Sequence, residues 1–262
     1  MAEQTGIIQF KGRLAQYLGT RGEKKNIIRE QKFVTKERIR NDPEYERTRR
    51  HISEFKGVAV AIADLMDCFD GSGNSFGGKG YRQELMRRTM QMLKKGAGVD
   101  GERSFDAGPN KHLLRGMEMN RADKFSTRFA ARFSLTVNTD RNQAVMTVAP
   151  FLENKVQKPK AAKWYIVKLY VGVLSDLVMG ADGKYESANP NLYQLVQVVE
   201  SAPQDPVGSN AGFSLTATLP GSPVLPSSAV LVVSASVEFY NDVNGNLGLL
   251  AQGNGLKILE IV

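Results

Sequence analysis

The chain has 262 residues, 42% hydrophobic and 24% charged, with a net charge of +8 at pH 7. That is the composition of a folded globular protein with one large domain or two small ones. No run of 18 apolar residues is present, which excludes a membrane-spanning helix, and the single cysteine, Cys68, excludes an intrachain disulfide and an all-cysteine metal site.

The N-terminal stretch MAEQTGIIQFKGR lacks a basic segment followed by an apolar one, so cytoplasmic residence is the default expectation, with release as an extracellular particle left open. Residues 5–34 read as a small basic β-ribbon: GIIQF and NIIREQKFV are strand-like, and Gly19–Gly22 supply a turn. Such a ribbon is marginal alone and must pack on something. Its large apolar residues Ile7, Ile8, Phe10, Ile27, Ile28 and Phe33 are candidates for an assembly arm, since burying each is worth about 1.5–3 kcal/mol. Lys24, Lys25, Arg29, Lys32, Lys36, Arg38 and Arg40 form a basic series suited to tracking phosphates, with Tyr17, Phe33 and Tyr45 as stacking surfaces. Glu23, Glu30 and Glu37 are interleaved with them, which equally suits a solvated or subunit-bridging surface.

Asn41-Asp42-Pro43-Glu44 is a helix start. Asp42 accepts from first-turn amides, Pro43 suits the first helical position, and Glu44 and Glu46 favour the positive end of the dipole. The helix runs toward Phe69, with Ile52, Phe55, Ala59, Ile62, Met66 and Phe69 at alternating spacings of three and four, a stripe widened by Val58 and Leu65. A coiled-coil seam is one use of that stripe; its short span favours burial against the chain's own fold. GSGNSFGGKG breaks the helix, and a second helix over about 81–96 buries Leu85, Met86, Thr89, Met90 and Leu93, completing a hairpin. Residues 97–125 read as irregular, with a helical turn near HLLRGMEMN.

From about 126 the period changes to two. Strands are expected over 128–137, 143–149, 163–174, 193–201, 212–218, 228–240 and 247–262, with Asn244-Gly245 the clearest hairpin turn. The expected fold is α+β: an N-terminal β-ribbon and helical hairpin (1–125), then an antiparallel Greek-key β-sandwich (126–262). Trp164, inside KWYIVKLYV, reads as a core residue.

The catalytic inventory is empty. His51 and His112 have no ligand partners at metal spacing, and neither a G-x-S-x-G elbow nor a phosphate loop occurs. The Gly-Lys of GSGNSFGGKG is followed by Gly80-Tyr81 instead of Ser or Thr. Asp64, Asp67 and Asp70 recur every three residues and read as a solvated acidic face. Asp242–Asn246 reads as a hairpin turn, not a calcium loop. No catalytic, cofactor-binding or metal residues are therefore assigned, no cofactor is expected, and the chain is expected not to be an enzyme.

GIIQFKG, NDPEYERTRRHISEF, LLRGMEMN and VEFYNDVNG, taken in order, resemble an uncharacterised family of Bacteroidota proteins. The resemblance implies a bacterial source and a compact two-part architecture, and supplies no site residues. Charge is polarised: residues 11–50 hold 13 Lys/Arg against 6 Asp/Glu, and residues 171–262 hold 2 against 8. That polarity suits head-to-tail packing of copies of the chain and equally suits a nucleic-acid partner. The expectation is a self-assembling structural protein, subunit of a homo-polymeric tube, filament, sheath or shell. The alternatives are a nucleic-acid-binding or coat-like protein using the basic 11–50 segment and, more weakly, a carbohydrate- or surface-binding β-sandwich module.

Overall fold

The computed structural model describes residues 2–5, 11–14, 17–21, 25–30, 34–71, 76 and 80–262. The chain divides into two compact units, Met1–Arg49 and Arg50–Val262. The boundary expected at 125/126 thus falls inside the larger unit.

In the smaller unit, β1 (Ala2–Glu3), β2 (Gly12–Leu14), β3 (Tyr17–Arg21) and β4 (Asn26–Glu30) form an antiparallel sheet in the order β1-β4-β3-β2. The small β-ribbon expected here is a four-stranded sheet. Helix α1 (Lys36–Asn41) follows, capped by Thr35 Oγ1, which accepts from Arg38 N at 3.1 Å. Asp42 then caps a 3-10 turn (Pro43–Tyr45), its carboxylate accepting from Glu44 N at 3.0 Å. The helix start read from the sequence is this cap.

The larger unit is layered around a central sheet. Its strands are β5 (Phe133–Val137), β6 (Gln143–Val148), β7 (Phe151–Leu152), β8 (Trp164–Ser175), β9 (Leu177–Met179), β10 (Tyr185–Ser187), β11 (Val196–Glu200), β12 (Ser209–Asn210), β13 (Phe213–Thr218), β14 (Ala229–Val243), β15 (Asn246–Leu249) and β16 (Gly255–Ile261). β8 and β14 pair antiparallel along twelve residues, Ala229 opposite Ser175 through Tyr240 opposite Trp164. β11 flanks β8, while β15 and β16 pair with successive parts of β14. A second sheet has the order β13-β6-β5. Every strand pairing described is antiparallel.

The pleat sends alternate residues to opposite faces. On one face Tyr165, Val167, Leu169, Val171 and Val173 join Leu231, Val233, Val237 and Phe239, and pack against Met146 and Val148 of β6 and Leu215 and Ala217 of β13. On the other face Tyr170, Leu174, Val230 and Val232 pack against α2 (Glu46–Asp67) and α3 (Tyr81–Leu93), with Val58, Leu65, Leu85 and Leu93 buried there. Both faces of the central pair are dry, so β8 and β14 read as near-continuous apolar runs.

Several expectations are corrected. The buried face of α2 is Glu54, Gly57, Val58, Ala61, Asp64 and Leu65: Val58 and Leu65 of the expected stripe are buried, as is Phe69 beyond the helix, but Ile52 and Phe55 are 43% and 53% exposed, so the face is turned about one residue from the stripe's main line. The rotation lets α2 approach closely. Tyr185 lies across Gly57, and Cys68 lies over Gly172 of β8, where an added Cβ would sit 2.6 Å from the Cys68 Cα. Residues 125–128 form a helical turn, so β5 begins at Phe133 and not near 128. The strand expected over 247–262 is two strands, β15 and β16, separated at 250–254. Trp164 is 37% exposed at the open end of β8 and is not a core residue. The hairpin turn at Asn244-Gly245 is as expected: both residues have left-handed φ, 54° and 82°, and β14 and β15 pair around them.

Gly172→Ala is expected to destabilise the fold by about 1–3 kcal/mol, because the new methyl meets the Cys68 backbone just past the end of α2 and not only a yielding side chain. Gly108→Ala, whose added Cβ meets nothing closer than 3.8 Å, is the control. Urea unfolding of the two variants checks this.

Candidate functional site

The residues singled out in the N-terminal unit are only partly described. Ile7, Ile8, Phe10, Phe33, Lys24 and Lys32 lie outside the described residues. Ile27 and Ile28 sit side by side in β4 opposite Thr20 and Gly19, half-buried, and as neighbours on a strand they face opposite sides of the sheet. Leu14 and Tyr17 are 63% and 44% exposed. Among the described side chains of this unit, none that is apolar is buried.

The basic series is divided. Lys25 pairs with Glu3 at 3.2 Å, and Arg38 pairs with Asp42 at 3.0 Å and Glu44 at 3.1 Å. Arg29, Lys36 and Arg40 are exposed. The Arg38 contacts hold Asp42 below the usual carboxylate range, the backbone amide of Glu44 being the larger cause. Arg49 donates from Nη1 to the carbonyls of Ile39 and Asp42, tying α1 to the following helix.

The larger unit contains three buried acidic groups that the sequence reading did not single out or placed in solvent. Glu238 on β14 is 4% exposed. Lys168 Nζ approaches it at 3.1 Å and also reaches Glu200 at 3.5 Å. Tyr240 donates to Glu238 Oε2, and the Tyr170 hydroxyl lies 3.5 Å from Oε1 and 3.2 Å from Ser236 Oγ. Strand register builds this cluster: Lys168 and Tyr170 share a face of β8, opposite the Ser236 and Ser234 positions of β14, and Glu200 stands beside Lys168. Burial first, and the Glu238 carboxylate second, push the Tyr240 phenol well above its ordinary range. The carboxylate is held by donors on both oxygens, so this arrangement clamps three strands together and offers no open position to a reactant.

Glu54 on α2 is 1% exposed and accepts from Arg103 Nη1 at 2.6 Å and Gly101 N at 3.2 Å. This pair fastens the 97–105 segment to the helix, and Tyr185 adds a bond to the Arg103 carbonyl at 2.8 Å. Asp64, expected in a solvated face, is 7% exposed. Burial, with the nearby Asp67 charge, pushes its carboxyl up to about 6. Asp70 is exposed beyond the helix end, with a left-handed φ of 51°. His51 and His112 are both exposed. Among the described residues, no group of three or more His, Cys, Asp or Glu is placed to hold a metal ion, and no helix is long and apolar enough to cross a membrane.

No protein-family model matches the chain, and a search of curated proteins finds no match.

Lys168→Met is expected to cost about 3–5 kcal/mol, because it leaves Glu238 as a buried, uncompensated charge. The Lys168→Met/Glu238→Gln double variant should recover a large part of that loss, and denaturant unfolding of the single and double variants measures the coupling.

Asp64 makes a pH prediction of definite sign. Its folded pKa lies above the unfolded value of 3.8, so the native state binds the proton more tightly. The protonated carboxyl costs nothing at pH 4, and stability falls as pH rises through about 6. Asp64→Asn should match the wild type at pH 4 and exceed it by about 2–3 kcal/mol at pH 8. Unfolding free energies at the two pH values decide it.

Proposed function

We propose that the chain is a non-enzymatic, self-assembling structural protein, a subunit of a homo-polymeric tube, filament, sheath or shell. We read residues 126–262 as a Greek-key sandwich body and the N-terminal sheet as the connector between copies. One observation carries this reading: the sheet of the N-terminal unit has no buried apolar side chain among those described, whereas the central sheet of the larger unit is covered on both faces. A small sheet of that kind gains its stability by covering a face against something else. A second copy supplies such a surface, and a chain whose sequence is basic over 11–50 and acidic over 171–262 favours head-to-tail contacts.

Deleting residues 1–34 is expected to leave a folded body that no longer assembles, read by circular dichroism, light scattering and negative-stain microscopy. Full-length protein that stays monomeric across concentration and salt overturns the proposal. Co-purifying nucleic acid whose binding weakens steeply with salt would shift the reading to a coat-like protein that uses the exposed Arg29, Lys36 and Arg40.

A further inference from the structure

Where β8 begins, the central sheet ends in an exposed row of large side chains. Trp164 of β8 stands directly opposite Tyr240 of β14, and Tyr240 stands opposite Leu249 of β15. Residues paired across antiparallel strands share a face, so the three side chains lie abreast. Leu247, opposite Asp242, extends the row toward the hairpin turn. Trp164, Leu247 and Leu249 are 37%, 45% and 54% exposed. Trp164 is the chain's one tryptophan, and its indole N–H meets no acceptor among the described residues.

Polar groups hold the row and rim it. Tyr240 donates to Glu238 Oε2, and Lys168 holds the same carboxylate oxygen at 3.1 Å. The phenol ring is thereby fixed, while its oxygen can still accept from an incoming donor. Two residues on from Tyr240, Asp242 stands on the same face, 3.8 Å from Lys163 Nζ, with both side chains exposed. Lys163 and Lys168 each have a carboxylate partner, so this surface carries no excess positive charge to draw a phosphate backbone.

We propose that this row is a binding platform for a neutral polysaccharide. A pyranose ring has an apolar face of C–H groups and a rim of hydroxyls. The π-face of an aromatic ring is weakly negative and matches those hydrogens. The rim needs donors and acceptors beside the rings, and the Trp164 N–H, the Tyr240 oxygen, Asp242 and Lys163 supply both kinds. Size favours the same occupant. The row is two strand spacings wide, ~10 Å, which falls far short of the roughly 1,200–2,000 Å² that a stable protein interface buries. It is also flat, which lets a long chain run past it, whereas a small molecule is ordinarily enclosed in a cavity. Trp164 read as a core residue is what left a carbohydrate-binding role weak, and its exposure removes that objection. One such row binds weakly, and rows repeated along the polymer proposed above would reinforce one another by avidity. The row itself does not depend on that polymer.

The test uses the full chain and a panel of soluble neutral polysaccharides: laminarin, barley β-glucan, xylan, galactomannan and starch. At least one is expected to retard the protein in an affinity gel and to shift the tryptophan emission, which reports on Trp164 alone. Trp164→Ala and, separately, Leu249→Asp should weaken the retardation tenfold or more, with circular dichroism unchanged. Trp164→Phe, which keeps an aromatic face, should stay within a few-fold of wild type. If Trp164→Ala perturbs the fold, Leu249→Asp, at a more exposed position, decides. No retardation by any of the five, retardation that survives in the folded variants, or retardation by heparin alone overturns the proposal.

Discussion

The antiparallel pairing of β8 with β14 is the constraint on which the rest of the larger unit depends. Each strand is apolar on both faces, and a single register assigns every side chain to one of two cores. Tyr165, Val167 and Phe239 go to the side of the β13-β6-β5 sheet, and Tyr170, Val230 and Val232 go to the helical side. A slip of one residue would exchange the two sets and drive Glu238 and Lys168 into the β-side core. The ion pair with its tyrosine partners is thus satisfied in one register only. A buried pair of this type is weak evidence for stability and better evidence for specification. Here it pins one end of the ladder, while the opposite end of β14, the apolar run 229–233, carries little register information of its own.

The helical layer illustrates how a close approach selects residues against hydropathy. The face of α2 turned to the sheet carries Glu54, Gly57 and Asp64, not the larger Ile52 and Phe55. Gly57 makes room for the Tyr185 ring and Gly172 for Cys68, so the helix sits low on the sheet. Of those two bulky residues, Phe55 instead lines a hollow against α3, with Met86 and Met90.

Features written locally were legible in the sequence, and features completed from a distance were not. The Asp42 cap and the Asn244-Gly245 turn use neighbours a few residues away, and both occur as expected. Most long strands were marked by period and flanking prolines. The buried face of α2 was misjudged because the partners that admit Glu54, Arg103 and Gly101, come from a segment with no regular pattern. Asp64 looked solvated because Asp67 and Asp70 follow it at i+3 and i+6; its 7% exposure is set by packing that the spacing does not show. The Glu238 cluster draws Lys168, Glu200 and Tyr240 from three strands, and no sequence spacing announces it. Strands β9 and β10 are three residues each, too short for a period to show. Of the six apolar residues read as the assembly arm, Ile27 and Ile28 alone fall within the described residues.

Cys68, pressed against Gly172, has one further consequence. Burial lifts its thiol well above the ordinary range, so the nucleophilic thiolate is scarce while the helix is seated. As the chain's single cysteine it is a native clock for that seating. Alkylating reagents reach it only when α2 lifts from the strand, and the labelling rate times this local opening separately from global unfolding.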